Sequence, residues 1–99
     1  MKAVHTPGLA NGLFADGRPE PLPGQFEVTA DPKSGQRRFW FVCPGPCKAP
    51  GVLALRPVVD GSDQSWDFDG NEASPTLHPS INHIGCWHGW LRAGEFTSC

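Results

Sequence analysis

The chain has 99 residues, a length that corresponds to one domain with a limited hydrophobic core. Eight basic and ten acidic residues give a net charge of −2 without any basic block, which argues against a nucleic-acid-binding protein. No apolar run approaches the roughly 20 residues of a membrane span and no export signal is present, so we expect a cytoplasmic protein without a membrane partner.

The 12 glycines and 11 prolines are spread along the chain and disfavour long helices. They are dense at the start of the chain, which predicts an irregular N-terminal arm over residues 1–24 and a β domain over residues 25–99. Leu9, Leu13 and Phe14 are the apolar residues of the arm that we expect to contact the β domain. A domain of this size often needs a metal ion or a disulfide for stability.

Alternating apolar and polar residues, together with aromatic and β-branched runs, predict strands in the remainder of the chain. The predicted extended segments are residues 26–30, 37–42, 51–56, 65–69, 75–81, 86–92 and 95–99. The expected fold is therefore all-β, a small zinc-stabilised domain of five to seven short strands in antiparallel hairpins. Ala93 and Gly94 form the expected two-residue turn of the last hairpin, which pairs Arg92 with Glu95.

The four cysteines predict one metal site. Cys43 and Cys47 are separated by Pro-Gly-Pro, a tight turn that directs two sulfurs to one centre at a spacing found in zinc sites. Continuing the pairing of the last hairpin places His88 opposite Cys99 and Cys86 diagonal to Cys99. We therefore expect a structural zinc ion bound by Cys43, Cys47, Cys86 and Cys99, with His88 in place of Cys99 as the alternative ligand. Two disulfides or four unliganded thiols are the other interpretations, and His78 and His83 are expected to be structural or surface groups.

A pattern in the last two thirds of the chain adds a resemblance, and its most specific part is Pro-Thr-x-x-Pro-Ser-Ile followed by a cysteine and a histidine. The residues concerned are Cys43-Pro44 with Cys47 after an aromatic strand, Trp66-Asp67-Phe68, Pro75-Thr76-Leu77-His78-Pro79-Ser80-Ile81 and Gly85-Cys86-Trp87-His88-Gly89-Trp90-Leu91-Arg92-Ala93-Gly94. This pattern resembles the small BubE-like family, whose members occur in phage genomes and in bacterial operons encoding ubiquitin-like conjugation systems. The chain departs from the family's common spacing, because one residue rather than two separates Cys86 from His88.

The resemblance implies a peptidase or esterase that acts on a ubiquitin-like protein or its conjugates. Ser80 is the only serine of the signature, and His88 follows eight residues later, so we expect Ser80 as the nucleophile and His88 as its general base. Asp67 and Asp69 are the candidates for an acidic partner of His88. The alternative function is a non-catalytic zinc-binding module that binds a protein partner in a phage particle or a conjugation complex, with the four tryptophans as apolar anchors.

Overall fold

A computed structural model of the protein describes residues 1–12 and 22–98, and within them it contains nine short strands and one helix of four residues. The elements are β1 (Val4–His5), α1 (Leu9–Gly12), β2 (Gln25–Ala30), β3 (Arg37–Val42), β4 (Pro50–Ala54), β5 (Asp67–Phe68), β6 (Leu77–His78), β7 (Ile81–His83), β8 (Trp87–Arg92) and β9 (Glu95–Ser98). The predicted all-β fold class is confirmed. The expected number of strands was too low. The prediction missed short strands such as β1, and it treated residues 75–81 as one segment, whereas the structure divides them between β6 and β7.

The first sheet has the strand order β1-β2-β3-β4. Its β2–β3 hairpin aligns Phe26 with Phe41 and Val28 with Phe39, so alternate residues of both strands enter the core together. β1 joins the sheet parallel to β2, which attaches the first residues of the chain to the β domain. Leu9 is also buried, whereas Leu13 and Phe14 lie outside the described residues.

A second sheet contains β7, β8 and β9 in that order. The last hairpin has the predicted register, with Arg92 opposite Glu95 and Leu91 opposite Phe96. This register was predictable because a two-residue turn fixes the pairing of both strands that it joins. The expected pairing of His88 with Cys99 falls on a residue outside the described part of the chain.

The core lies between these two sheets and the two-stranded sheet of β5 and β6. Its largest buried side chains come from all three sheets and from Leu55, which directly follows β4; those of the sheets are Phe26, Phe39, Phe41, Leu77, Ile81 and Leu91. Phe41 of the first sheet packs against Phe96 of the second, with 6.4 Å between the ring centroids. Phe41 also lies 6.4 Å from the ring of His83, so the end of β3 is close to the tip of the β7–β8 hairpin.

Across the described residues, no helix is both long enough and apolar enough to cross a membrane.

Candidate functional site

Four side chains meet where the β3–β4 turn contacts the tip of the β7–β8 hairpin. Cys43 and Cys47 come from the turn, and His83 and Cys86 come from the hairpin. One potential ligand atom of each residue lies within 4.8 Å of the corresponding atoms of the other three. We refer to these four residues as the cysteine–histidine cluster. Their arrangement could bind a metal ion.

One sulfur–sulfur distance within the cluster is close to that of a tetrahedral metal site. The sulfur atoms of Cys43 and Cys86 are 3.6 Å apart. A tetrahedral ion with metal–sulfur bonds of about 2.3 Å separates its ligand sulfurs by about 3.8 Å. Three sulfurs and one imidazole are also a common donor set of structural zinc sites.

Backbone amides of the β3–β4 turn point at the sulfur atoms. The amide of Gly45 donates to Cys43 Sγ at 3.4 Å, and the amide of Cys47 donates to Cys86 Sγ at 3.2 Å. Gly45 permits this approach, since a Cβ atom at that position would lie 2.8 Å from Cys86 Sγ. Amide donors to sulfur stabilise thiolate ligands, so the surroundings of the cluster also fit a metal ion.

His83 is the cluster residue that the sequence analysis did not select, since it was expected to be a structural or surface group. Its Nδ1 atom is buried and is the only buried side-chain nitrogen or oxygen atom without a hydrogen-bond partner among the described residues. A buried imidazole nitrogen without a partner is costly unless it binds a donor or a metal ion. The spacing His83-Ile84-Gly85-Cys86, with two residues between two possible ligands at a hairpin tip, was the signal that could have identified it.

The other proposed ligands have different positions. Cys99 lies outside the described residues. His88, the alternative ligand, is not in the cluster but contacts Ser80. Cys86 belongs to the β7–β8 turn rather than to β8, so strand alternation does not place it on the same face as His88.

Cys47 and Cys86 are joined by a disulfide in the structure, while Cys43 has a free thiol. Their Cα atoms are 5.9 Å apart. That separation suits a disulfide, and it also lets two reduced side chains converge on one ion. The same pair of cysteines can therefore join the two segments in either of two chemical forms.

Ser80 and His88 form a second arrangement on the same hairpin. Ser80 immediately precedes β7, and His88 lies on β8 opposite Asn82. The Oγ atom of Ser80 is 3.2 Å from Nε2 of His88, a distance at which the hydroxyl can donate its proton to an unprotonated nitrogen. His88 is exposed and Ser80 is half-buried, so a substrate can reach the pair.

The backbone around Ser80 is held on both sides. Leu77 and Ile81 are buried in the core on either side of Pro79 and Ser80. The indole nitrogen of Trp66 donates to the carbonyl oxygen of Ser80 at 3.3 Å. These contacts fix the segment that carries the hydroxyl, which is the usual way in which a reactive side chain is oriented.

Neither candidate acidic partner contacts His88. The carboxylate of Asp67 accepts a hydrogen bond from Arg56 at 2.8 Å. The carboxylate of Asp69 accepts from the backbone amides of Asn71 and Thr76. Within residues 1–12 and 22–98, both candidate carboxylates thus have other partners, and the contact between Ser80 and His88 includes neither of them.

A groove of about 410 Å³ opens beside Ser80. Its walls include Arg56, Gln64, Trp66, Pro79, Asn82 and Ile84. We refer to it as the Ser80 groove. A side chain or a short stretch of extended backbone fits a space of this volume, so the serine lies in a site of suitable size for a peptide.

Comparison with known proteins agrees with this geometry. The sequence model of the family described as "Bacterial ubiquitination-like system serine protease (BubE)" matches residues 14–99. The chain belongs to the BubE family. No curated protein and no solved structure gives a match. The BubE family is described as a serine protease family, and in the structure Ser80 lines a groove and lies beside a histidine.

Proposed function

We propose that this BubE-family protein is a serine hydrolase that cleaves a ubiquitin-like protein or its conjugates in the cytoplasm. The observation that carries the proposal is the 3.2 Å contact between Ser80 Oγ and His88 Nε2, in which the serine also lines an open groove. The description of the family as a serine protease of a bacterial ubiquitination-like system supports the same reaction and the same class of substrate.

In the first step, Ser80 Oγ attacks the carbonyl carbon of the scissile bond while His88 Nε2 takes the hydroxyl proton. Collapse of the tetrahedral intermediate breaks the bond to the leaving group, and His88 returns the proton to the departing amine or alcohol. The product is an acyl ester on Ser80 together with a free leaving group. Ser80 and His88 carry this step, because their 3.2 Å contact already places the donor beside the acceptor.

In the second step, a water molecule attacks the ester and His88 again accepts the proton. The ester bond breaks, the proton passes to Ser80 Oγ, and the carboxylic acid product leaves. Asp67 and Asp69 take no part, since each carboxylate is occupied by other donors. His88 instead depends on its strand for its orientation, and it faces Asn82 across the hairpin.

We infer that the cysteine–histidine cluster binds a structural zinc ion through Cys43, Cys47, His83 and Cys86. Bound zinc would supply a cross-link between the β3–β4 turn and the tip of the β7–β8 hairpin. Four protein ligands close the coordination sphere, which is typical of structural rather than catalytic zinc. The cytoplasm keeps thiols reduced and so favours zinc binding over the disulfide.

A fluorophosphonate probe, which reacts with activated serines, tests the proposed chemistry. We expect it to label the unaltered protein and to leave Ser80→Ala unlabelled. His88→Gln should lower the labelling rate by at least about a hundredfold, because the hydroxyl then lacks its base. Ser34→Ala is the matched control, since Ser34 lies in the β2–β3 turn and its loss should not affect labelling. Labelling that persists in Ser80→Ala would refute the proposal and favour a non-catalytic binding module.

A further inference from the structure

The outer edge of β4 has free backbone groups. β4 pairs with β3 on one side only and is the last strand of its sheet. The amide of Leu55 donates to the carbonyl of Arg37, which lies just before β3 pairs with β4. Because the backbone groups of successive residues point to opposite sides of a strand, the amide and carbonyl of Leu53 also face β3. The backbone groups of Val52 and Ala54 therefore face away from β3. The bond from the Trp66 amide to the Ala54 carbonyl confirms this direction for Ala54. The Val52 amide and carbonyl and the Ala54 amide have no backbone partner among the described residues.

β7 has a free edge as well. It pairs with β8 and has no strand on its other side in the described structure. The carbonyl of His83 accepts from the Cys86 amide and thus faces the hairpin. Alternation then directs the backbone of Asn82 away from β8, on the same side as the carbonyl of Ser80 that binds Trp66.

These two edges line one groove of about 330 Å³, which we call the β4–β7 groove. Val52 and Ala54 lie on one wall, and Asn82 lies on another. Its apolar lining comes from Phe41, Leu53, Trp66 and Ile81. An apolar side chain inserted here would leave water while its own backbone remained within reach of an unpaired strand edge.

The β4–β7 groove adjoins the Ser80 groove. Gln64, Trp66 and Asn82 line both. A polypeptide whose scissile bond lies at Ser80 therefore continues naturally into the β4–β7 groove. An extended chain rises about 3.3 Å per residue, so successive residues of one extended segment can occupy two adjoining grooves.

We propose that the β4–β7 groove binds the extended segment of the protein substrate next to the scissile bond, by addition of that segment as a strand to the edge of β4. The inference rests on the proposed serine hydrolase and specifies how it holds its substrate. The backbone of the segment pairs with the Val52 amide and carbonyl and with the Ala54 amide, which fixes its register without reading its sequence. An apolar side chain of the segment enters the space between Phe41, Leu53 and Ile81 and provides selectivity.

Binding of peptides to the Ser80→Ala protein tests this inference without turnover. The probe is a ten-residue peptide with the sequence of the C-terminal tail of a bacterial ubiquitin-like protein. Its matched control has the same side chains but carries N-methyl groups on alternate amides. Strand addition requires those amides, so the methylated peptide should bind about tenfold more weakly or worse. Equal affinity of the two peptides, or no binding of either, would overturn the proposal.

Two substitutions at one position locate the contact. Val52→Pro removes the outward amide and leaves the bonds between β4 and β3 in place, because the Val52 amide does not face β3. Val52→Thr keeps both the amide and the branched shape. We expect Val52→Pro to weaken peptide binding about tenfold and Val52→Thr to change it less than about twofold. The amides of Val52 and Ala54 should also exchange hydrogen more slowly once the peptide is bound. Similar affinities of the two variants would place the peptide elsewhere and refute strand addition to β4.

Probe labelling of the unaltered protein separates this inference from the proposed function. If the probe labels Ser80 but peptide affinity does not change with N-methylation or with Val52→Pro, strand addition in the β4–β7 groove is refuted and the proposed hydrolase activity stands. The reverse result, selective peptide binding at Val52 without any labelling of Ser80, supports the groove as a peptide-binding site and removes the proposed chemistry.

Discussion

Cys47 and Cys86 join the β3–β4 turn to the tip of the β7–β8 hairpin, and a reductant distinguishes a disulfide from a shared metal ion at this point. The two residues are 39 positions apart in the chain. In the chain-entropy model, a disulfide that closes a loop of this length stabilises the fold by about 4 kcal/mol. For a domain of about 100 residues, that free energy corresponds to a change in Tm of roughly 15–30 °C.

If zinc holds the cluster, the cysteines are already reduced, and a phosphine reductant, which unlike a dithiol competes only weakly for zinc, has no disulfide to break. Tm should then change by less than about 3 °C upon reduction, well below the disulfide estimate. A strong chelator should instead lower Tm sharply and remove about one zinc ion per chain, since metal binding in a domain this small contributes directly to folding. The assay is thermal unfolding followed by circular dichroism, with reductant alone, chelator alone and both together, beside metal analysis of the purified protein.

The opposite pattern would refute the zinc proposal. A fall of roughly 15–30 °C with reductant alone, no response to chelator and a zinc content near zero would identify the disulfide as the stabilising link. Excess zinc added to the reduced protein provides the control, because it should restore Tm only if the cluster binds the ion. Cys43→Ser sharpens the comparison: it removes a ligand from the metal site but leaves the Cys47–Cys86 disulfide intact.

Three further predictions concern single side chains. His83→Leu should weaken zinc affinity more than about tenfold, measured in competition with a chromophoric chelator. If His83→Leu leaves the affinity unchanged and Cys99→Ser releases the ion, Cys99 is the fourth ligand instead. Trp66→Phe removes the hydrogen bond to the Ser80 carbonyl. It should lower the unfolding free energy by about 1–3 kcal/mol in urea titrations, and it should also slow probe labelling. Labelling at the unaltered rate would show that this bond does not orient Ser80. Hydrogen bonds from Ser62 and the charge of Arg38 lower the pKa of Asp60 below its ordinary value of 3.8, so its contribution to stability is complete above that value and is lost as the pH falls through the lower folded-state pKa. Asp60→Asn should therefore destabilise the protein at neutral pH but not in strong acid, and an equal loss at both would contradict this assignment.

Local patterns in the sequence were sufficient to predict which strands pair wherever one short turn connects the two strands. The Ala93-Gly94 turn fixed the pairing of β8 with β9. The predicted segments 26–30 and 37–42 are separated by Asp31-Pro32-Lys33-Ser34-Gly35, whose residue types favour a turn, and they pair as β2 and β3. Proximity of Ser80 to His88 was also accessible from sequence, because a tight reversal within eight residues brings the ends of such a segment together.

Contacts between distant segments were not accessible in the same way. His83 joins the cluster because Phe41 and Gly45, some 40 residues earlier, pack against the hairpin that carries it. The predicted position of Cys86 diagonal to Cys99 assumed that Cys86 lies on the same strand as His88. Cys86 belongs to a turn instead, where the alternation of a strand does not apply. The β4–β7 groove depends on Val52 and Asn82, which come from different sheets, so no local pattern in the sequence indicates it.

The β7–β8 hairpin explains why a protein this small would combine the cysteine–histidine cluster with a serine–histidine pair. Its tip carries His83 and Cys86, whereas the serine precedes its first strand and His88 lies on its second. Fixing the tip to the β3–β4 turn holds both strands of the hairpin and therefore the distance from Ser80 to His88. It also holds β7 opposite β4, and so maintains the groove between two different sheets. Loss of the link at the tip should consequently reduce probe labelling and peptide binding together, although no cluster residue takes part in the proposed chemistry.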